Sequence, residues 1–85
     1  MKNFEYTIKD ELGIHARPAG LLVKLVKNFK SNVLIASKGA SADARKLMAV
    51  MALGITKGTQ VTITAEGEDE EAVITEIEKF FRENL

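Results

Sequence analysis

Gly13-Ile14-His15-Ala16-Arg17-Pro18 is the stretch on which the fold turns, because the apolar period changes across it. Before it, Phe4, Tyr6 and Ile8 alternate with Glu5, Thr7 and Lys9, the period of a half-buried strand. Asp10-Glu11-Leu12-Gly13 breaks that pattern as a loop. From Ala16 to about Phe29 the spacing becomes helical, with Ala19, Leu22, Val23, Val26 and Phe29 on one face. Ala16, Gly20, Lys24 and Lys27 fall on the opposite, exposed face. Pro18 suits the first turn, where its missing N–H costs nothing. His15 therefore stands at or near the N-cap of the first helix.

That position carries chemistry. The first N–H groups of a helix lack intrahelical partners, and the macrodipole places partial positive charge there. An anion on the imidazole would be stabilised on arrival, with the Arg17 guanidinium beside it. The same dipole disfavours an imidazolium and so favours a neutral, nucleophilic ring. His15 is the only histidine in the chain, so a multi-histidine metal site is excluded. With no cysteine there is no disulfide framework, thiolate metal site or cysteine nucleophile. No metal and no cofactor is expected.

Working outward, Asn32 to Ser37 is a short β-branched run, and Lys38-Gly39 turns into a weak second strand, Ala40-Ser41-Ala42-Asp43. Leu47 to Leu53 is a short helix closed by Gly54. Val61, Ile63 and Ala65 alternate with Thr62 and Thr64 in a fourth strand ending at Gly67. The last helix opens on Asp69-Glu70-Glu71 and buries Val73, Ile77, Phe80 and Phe81. The order is β-α-β-β-α-β-α, an α+β arrangement with one antiparallel sheet covered on one face by helices.

Eighty-five residues with 46% hydrophobic content support a single domain, residues 1–85, with one core. Lys+Arg and Asp+Glu balance at 12 each, which predicts no affinity for nucleic acid or membrane surfaces. The basic residues nonetheless gather mid-chain and the acidic ones near the end. The N-terminal segment lacks the apolar run of a signal peptide, and no run could cross a bilayer. A cytoplasmic location without membrane insertion is expected, and nothing argues for an obligate oligomer, so a monomer is expected too.

Two segments carry a resemblance. Gly13-Ile14-His15-Ala16-Arg17-Pro18-Ala19, followed by Leu47 to Gly58, resembles the HPr phosphocarrier family of the bacterial phosphotransferase system. Ala65-Glu66-Gly67-Glu68-Asp69-Glu70 agrees as well, and the likeness spans nearly the whole chain. It implies an open-faced β-sandwich, a four-stranded antiparallel sheet with three helices on one face. It also implies a role, in which the protein accepts a phosphoryl group from phospho-enzyme I and passes it to sugar-specific enzyme IIA domains. The family's phosphorylated histidine matches His15, modified on Nδ1, and its arginine matches Arg17, with Ala16 and Arg17 binding the phosphate. Such a protein is a phosphohistidine intermediate of a relay, itself a substrate for other enzymes.

A partner surface follows. Gly20, Lys24 and Lys27 run along the first helix, and Leu47, Met48 and Met51 lie on a short helix with more apolar residues than one buried face needs. An apolar patch ringed by basic residues would dock acidic partners, and methionines suit a surface that fits several in turn. Without the resemblance, Arg17, Lys24 and Lys27 read as solvated helix positions, and Leu47, Met48 and Met51 as core. Many Gram-positive members carry a regulatory serine where this chain has Lys46, which cannot be phosphorylated that way. Lys46 also puts a cation at the unfavourable end of the second helix, with a partial offset expected from Asp43. Three other classes compete. One is a regulatory paralogue of the nitrogen-branch type. Another is a small hydrolase on a split β-α-β scaffold. The last is a binding domain without covalent chemistry, which would have no use for a nucleophile at an exposed helix start.

Overall fold

The computed structural model describes residues 1–85. The elements run β1 (Lys2–Thr7), α1 (Ala16–Lys27), β2 (Asn32–Ser37), β3 (Ala40–Asp43), α2 (Leu47–Ala52), β4 (Gln60–Glu66) and α3 (Glu70–Asn84). The fold is the four-stranded antiparallel sheet with three helices that the sequence predicts, in spatial order β1-β4-β2-β3. β4, the last strand in sequence, thus fills the centre between β1 and β2.

The register sets Phe4, Ile63, Ile35 and Ala42 in one row across the sheet. That row faces the helices, and Ile63 and Ile35 are fully buried in it. The next row out, Glu5, Thr62, Ala36 and Ser41, lies on the opposite, uncovered face, so the alternation of each strand becomes the inside and outside of the sheet. α3 packs on β1 and β4, α1 on α2 and α3, and α2 against β3. Phe81 is the largest fully buried side chain. It meets Phe4, Tyr6 and Phe80 edge to face with ring centroids 5.8, 5.5 and 6.1 Å apart.

Boundaries differ slightly from the periodicity. α1 ends at Lys27 with Asn28 as its C-cap, so Phe29 leaves the helix while still packing against the core. α2 stops at Ala52 with Leu53 as its C-cap, and Gly54 follows at φ 63°. The Lys38-Gly39 turn has positive φ at both residues, 52° and 81°, the pattern of a tight hairpin turn whose twist matches the strands.

Candidate functional site

α1 begins where the loop before it is pinned by backbone contacts on two sides. Lys9 and Asp10 N–H donate to the Leu85 main-chain oxygen at 2.6 and 2.9 Å. Ile14 N–H donates to the Ile55 carbonyl at 3.0 Å. The Asp10 carboxylate accepts the Leu12 N–H at 2.8 Å, closing an Asx turn. Gly13, at φ 67°, lies so close to Ile55 and Thr56 that a Cβ there would strike the Ile55 carbonyl oxygen and lie 2.7 Å from Thr56 Cα.

His15 is the N-cap residue, extended at φ −115° and ψ −172°, and its ring makes no capping hydrogen bond. Its carbonyl accepts the Ala19 N–H at 2.9 Å. Pro18 has no N–H, so the amides without an intrahelical acceptor are those of Ala16 and Arg17. The ring is half-buried, and Pro18 beneath it is buried. His15, Arg17, Pro18 and Leu21 line an open cleft of about 220 Å³ together with Asp10, Glu83 and Asn84. Arg17 is exposed, and its guanidinium makes neither a hydrogen bond nor an ion pair. No acidic residue occupies the first turn of α1. The arrangement brings an imidazole, two backbone donors and a free guanidinium together at one cleft, a set of groups suited to an anion.

The profile described as "PTS HPr component phosphorylation site" matches residues 2–83. The chain belongs to the HPr phosphocarrier family. Solved structures agree with that assignment. The histidine-containing phosphocarrier protein of a mycoplasma matches at a TM-score of 0.94 and 35% identity, over 96% of this chain and 93% of that one. HPr of Thermoanaerobacter tengcongensis matches at 0.84 and 36%, over 100% of both chains. The catabolite repression protein Crh of Bacillus subtilis, described as a swapped dimer, matches at 0.79 and 31%, over 94% of this chain and 92% of that one.

Within this HPr fold the residues singled out as a partner surface are distributed unevenly. Lys24 and Lys27 are exposed on α1, whereas Gly20, expected on the exposed face, is half-buried. Met48 is 76% exposed and Leu47 38%, while Met51 packs partly against the core. Leu12, in the loop before His15, is 71% exposed, an apolar residue the helical patterning could not flag because it lies outside any helix.

Lys46 is the N-cap of α2 and makes no side-chain cap. Asp43 does not cap that helix either. Its carboxylate accepts the Arg45 N–H at 2.9 Å and its carbonyl the Lys46 N–H, which closes a turn ahead of the helix. The acidic run, read as loop and helix start, proves to be a fastening. Asp69 accepts the Lys30 and Ser31 N–H groups at 2.9 Å each, and the Ser31 hydroxyl as well. That hydroxyl, then the Lys30 amide, hold the Asp69 carboxyl below the usual range. Glu70 is lowered by the Met1 amino group 2.6 Å away, then by the Gly67 N–H. No group of three or more His, Cys, Asp or Glu residues is arranged to hold a metal ion. No helix is long and apolar enough to cross a membrane.

Proposed function

We propose that residues 1–85 act as one phosphoryl-carrier unit, taking phosphate from phospho-enzyme I onto His15 and delivering it to enzyme IIA domains for sugar uptake in the cytoplasm. The observation that carries this reading is the pairing of an uncommitted ring at an N-cap with an uncommitted guanidinium in the same cleft. In the first transfer the donor's P–N bond breaks as a ring nitrogen of His15 takes the phosphorus. The ring must be unprotonated to supply the lone pair. Most of the catalysis is positioning and charge stabilisation, which backbone donors and one guanidinium can supply.

Each residue then has a task. The Ala16 and Arg17 amides receive the equatorial oxygens, and the Arg17 side chain adds charge-assisted hydrogen bonds of roughly 1.5–3 kcal/mol each. Gly20, Lys24 and Lys27 on α1, with Leu47, Met48 and Met51 on α2, receive acidic partners. The contact is transient and small, at the low end of the usual interface range. The carrier works as a monomer under this proposal, with no metal, cofactor or nucleic acid involved.

Incubation with enzyme I and phosphoenolpyruvate tests the reading. An acid-labile, base-stable phosphate should form, and His15→Ala should lose it; an unlabelled wild type refutes the carrier role. A regulatory paralogue is the second reading, favoured by the likeness to Crh. Adding enzyme IIA proteins separates the two, since a sugar carrier gives up its label to them and a purely regulatory paralogue does not.

A further inference from the structure

Besides the first turns of α1, the cleft at His15 is lined by the loop before it and by the end of α3. Asp10 comes from that loop, Glu83 and Asn84 from α3, and the contacts of Lys9 and Asp10 with the Leu85 main-chain oxygen hold the two segments together. Two of these side chains are hydrogen-bonded within their own segments, although Asp10 keeps its charge in doing so. Asn84 Nδ2 donates to the Phe80 carbonyl at 3.0 Å, and Asp10 accepts the Leu12 N–H at 2.8 Å. Glu83 is not occupied. Its neighbour Arg82 pairs with Glu78 at 2.8 Å, one turn back, and no cation meets the Glu83 carboxylate.

We infer that Glu83 controls how readily a phosphoryl group leaves His15, by placing a negative charge across the cleft from it. The inference rests on the carrier reading and adds a residue to it. A phosphoryl group brings close to two negative charges to the ring. The α1 amides and Arg17 attract it, while Glu83 faces it with like charge and raises the energy of the loaded state. A site built only of attractors would hold its cargo too well to pass it on. Glu83, with Asp10 beside the same cleft, therefore sets the opposing side of the balance. It need not touch the phosphoryl group, because a single charge acting on a near-dianion through the water of an open cleft changes an equilibrium roughly three- to tenfold at low salt.

Spontaneous hydrolysis reports the loaded state without any partner protein. The bond between phosphorus and the His15 ring nitrogen breaks, a water oxygen takes the phosphorus, and the proton shed by water goes to the ring nitrogen. The products are inorganic phosphate and free imidazole.

The experiment loads wild type, Glu83→Gln, Glu83→Asp and Glu71→Gln with enzyme I and phosphoenolpyruvate. Decay of the phosphohistidine is then followed by phosphorus NMR, and the loaded fraction at equilibrium with enzyme I is measured. Glu83→Gln should decay roughly three- to tenfold more slowly and shift the equilibrium toward the loaded form by a similar factor. Glu83→Asp should behave nearly as wild type. Glu71→Gln, at the opposite end of α3, should match it. The Glu83→Gln effect should shrink at about 0.5 M salt, where the Debye length falls below the span of the cleft. Unchanged decay at low salt, or a change that salt leaves intact, overturns the inference while the carrier reading stands. A wild type that takes no label defeats both.

Discussion

Gly13→Ala tests whether the loop that delivers His15 is built to a tolerance of less than one methyl group. Three costs add. Alanine at φ 67° occupies the left-handed region, at roughly 1–2 kcal/mol. Its Cβ would lie 2.7 Å from Thr56 Cα and against the Ile55 carbonyl oxygen, both of them backbone that cannot rotate away. Relief requires the two loops to part, which loosens the 3.0 Å bond from Ile14 N–H to the Ile55 carbonyl, worth about 1 kcal/mol net. With about 1 kcal/mol more for disturbed packing of Ile14 and Ile55, the sum is about 3–4 kcal/mol. Thermal unfolding should fall by about 12–30 °C in a domain of this size.

Two other glycines separate the contributions. Gly54 shares the left-handed conformation at φ 63° but has open space where a Cβ would go, so Gly54→Ala should show the backbone cost alone. Gly20 lies inside α1 with no atom within 4 Å of the added methyl, so Gly20→Ala should raise stability by about 1 kcal/mol. Urea denaturation of the three variants, with thermal melts beside it, gives the comparison. If Gly13→Ala costs no more than Gly54→Ala, the close approach of the two loops is not a constraint, and the argument for a rigidly delivered His15 fails with it.

The remaining expectations concern the scaffold. Asp69→Asn should destabilise the fold and flatten its acid limb, because a carboxyl held below its usual range contributes stability above about pH 4 and loses it as pH falls further; thermal melts of both proteins from neutral pH to about pH 2.5 would show it, and parallel curves would count against it. Lys38→Asn should gain about 0.5–1 kcal/mol, since Lys38 sits at φ 52° where asparagine is favoured before glycine in a tight hairpin; a loss on urea denaturation would contradict the turn assignment. Ser37 Oγ is buried without a hydrogen-bond partner, so Ser37→Ala should leave stability unchanged or raise it by about 1 kcal/mol, measured in the same way.

Where the sequence was legible, a local pattern decided the matter. The switch of period at Gly13 to Pro18 placed β1, α1 and the N-cap histidine, because each depends on residues within one or two turns of chain. The Lys38-Gly39 turn was legible for the same reason, through the backbone freedom of a single glycine. What the sequence could not show lies at long range. Nothing local says that β4 sits between β1 and β2, or that the Leu85 main-chain oxygen would meet Lys9 and Asp10. The Asp69 fastening joins residues 38 positions apart, and acidic residues at a helix start already had a sufficient explanation in the dipole. Arg45 escaped notice on the same ground. Its guanidinium donates to the Phe29 and Ser31 carbonyls at 3.0 and 2.8 Å, so a residue that looks like a surface cation ties down the turn after α1. Glu83 belongs to the same class, a site-facing carboxylate whose place only the tertiary fold assigns.

The three helix starts show why an N-terminus alone would have been a poor guide to the site. None of them has a side-chain cap, so an unfilled N-cap distinguishes nothing. They differ in the charge they supply. α3 carries Glu70 and Glu71 in its first turn and so meets its own dipole. α2 has no acid there and sets the Lys46 cation at its cap, against the dipole, which costs stability. α1 also has no acid, but it presents an imidazole and a free guanidinium around its two unspent amides. Of the three, only α1 joins an imidazole and a free guanidinium to a first turn without an acid. Filling that place with an acid of the chain's own should therefore silence the carrier. Ala16→Asp would put a carboxylate in the first turn of α1, where it should stabilise the helix by roughly 0.3–1 kcal/mol. By occupying the charge reserved for the phosphoryl group, it should also slow loading from enzyme I. A variant that gained stability and still loaded at the wild-type rate would show that the acid-free first turn of α1 has no part in the transfer.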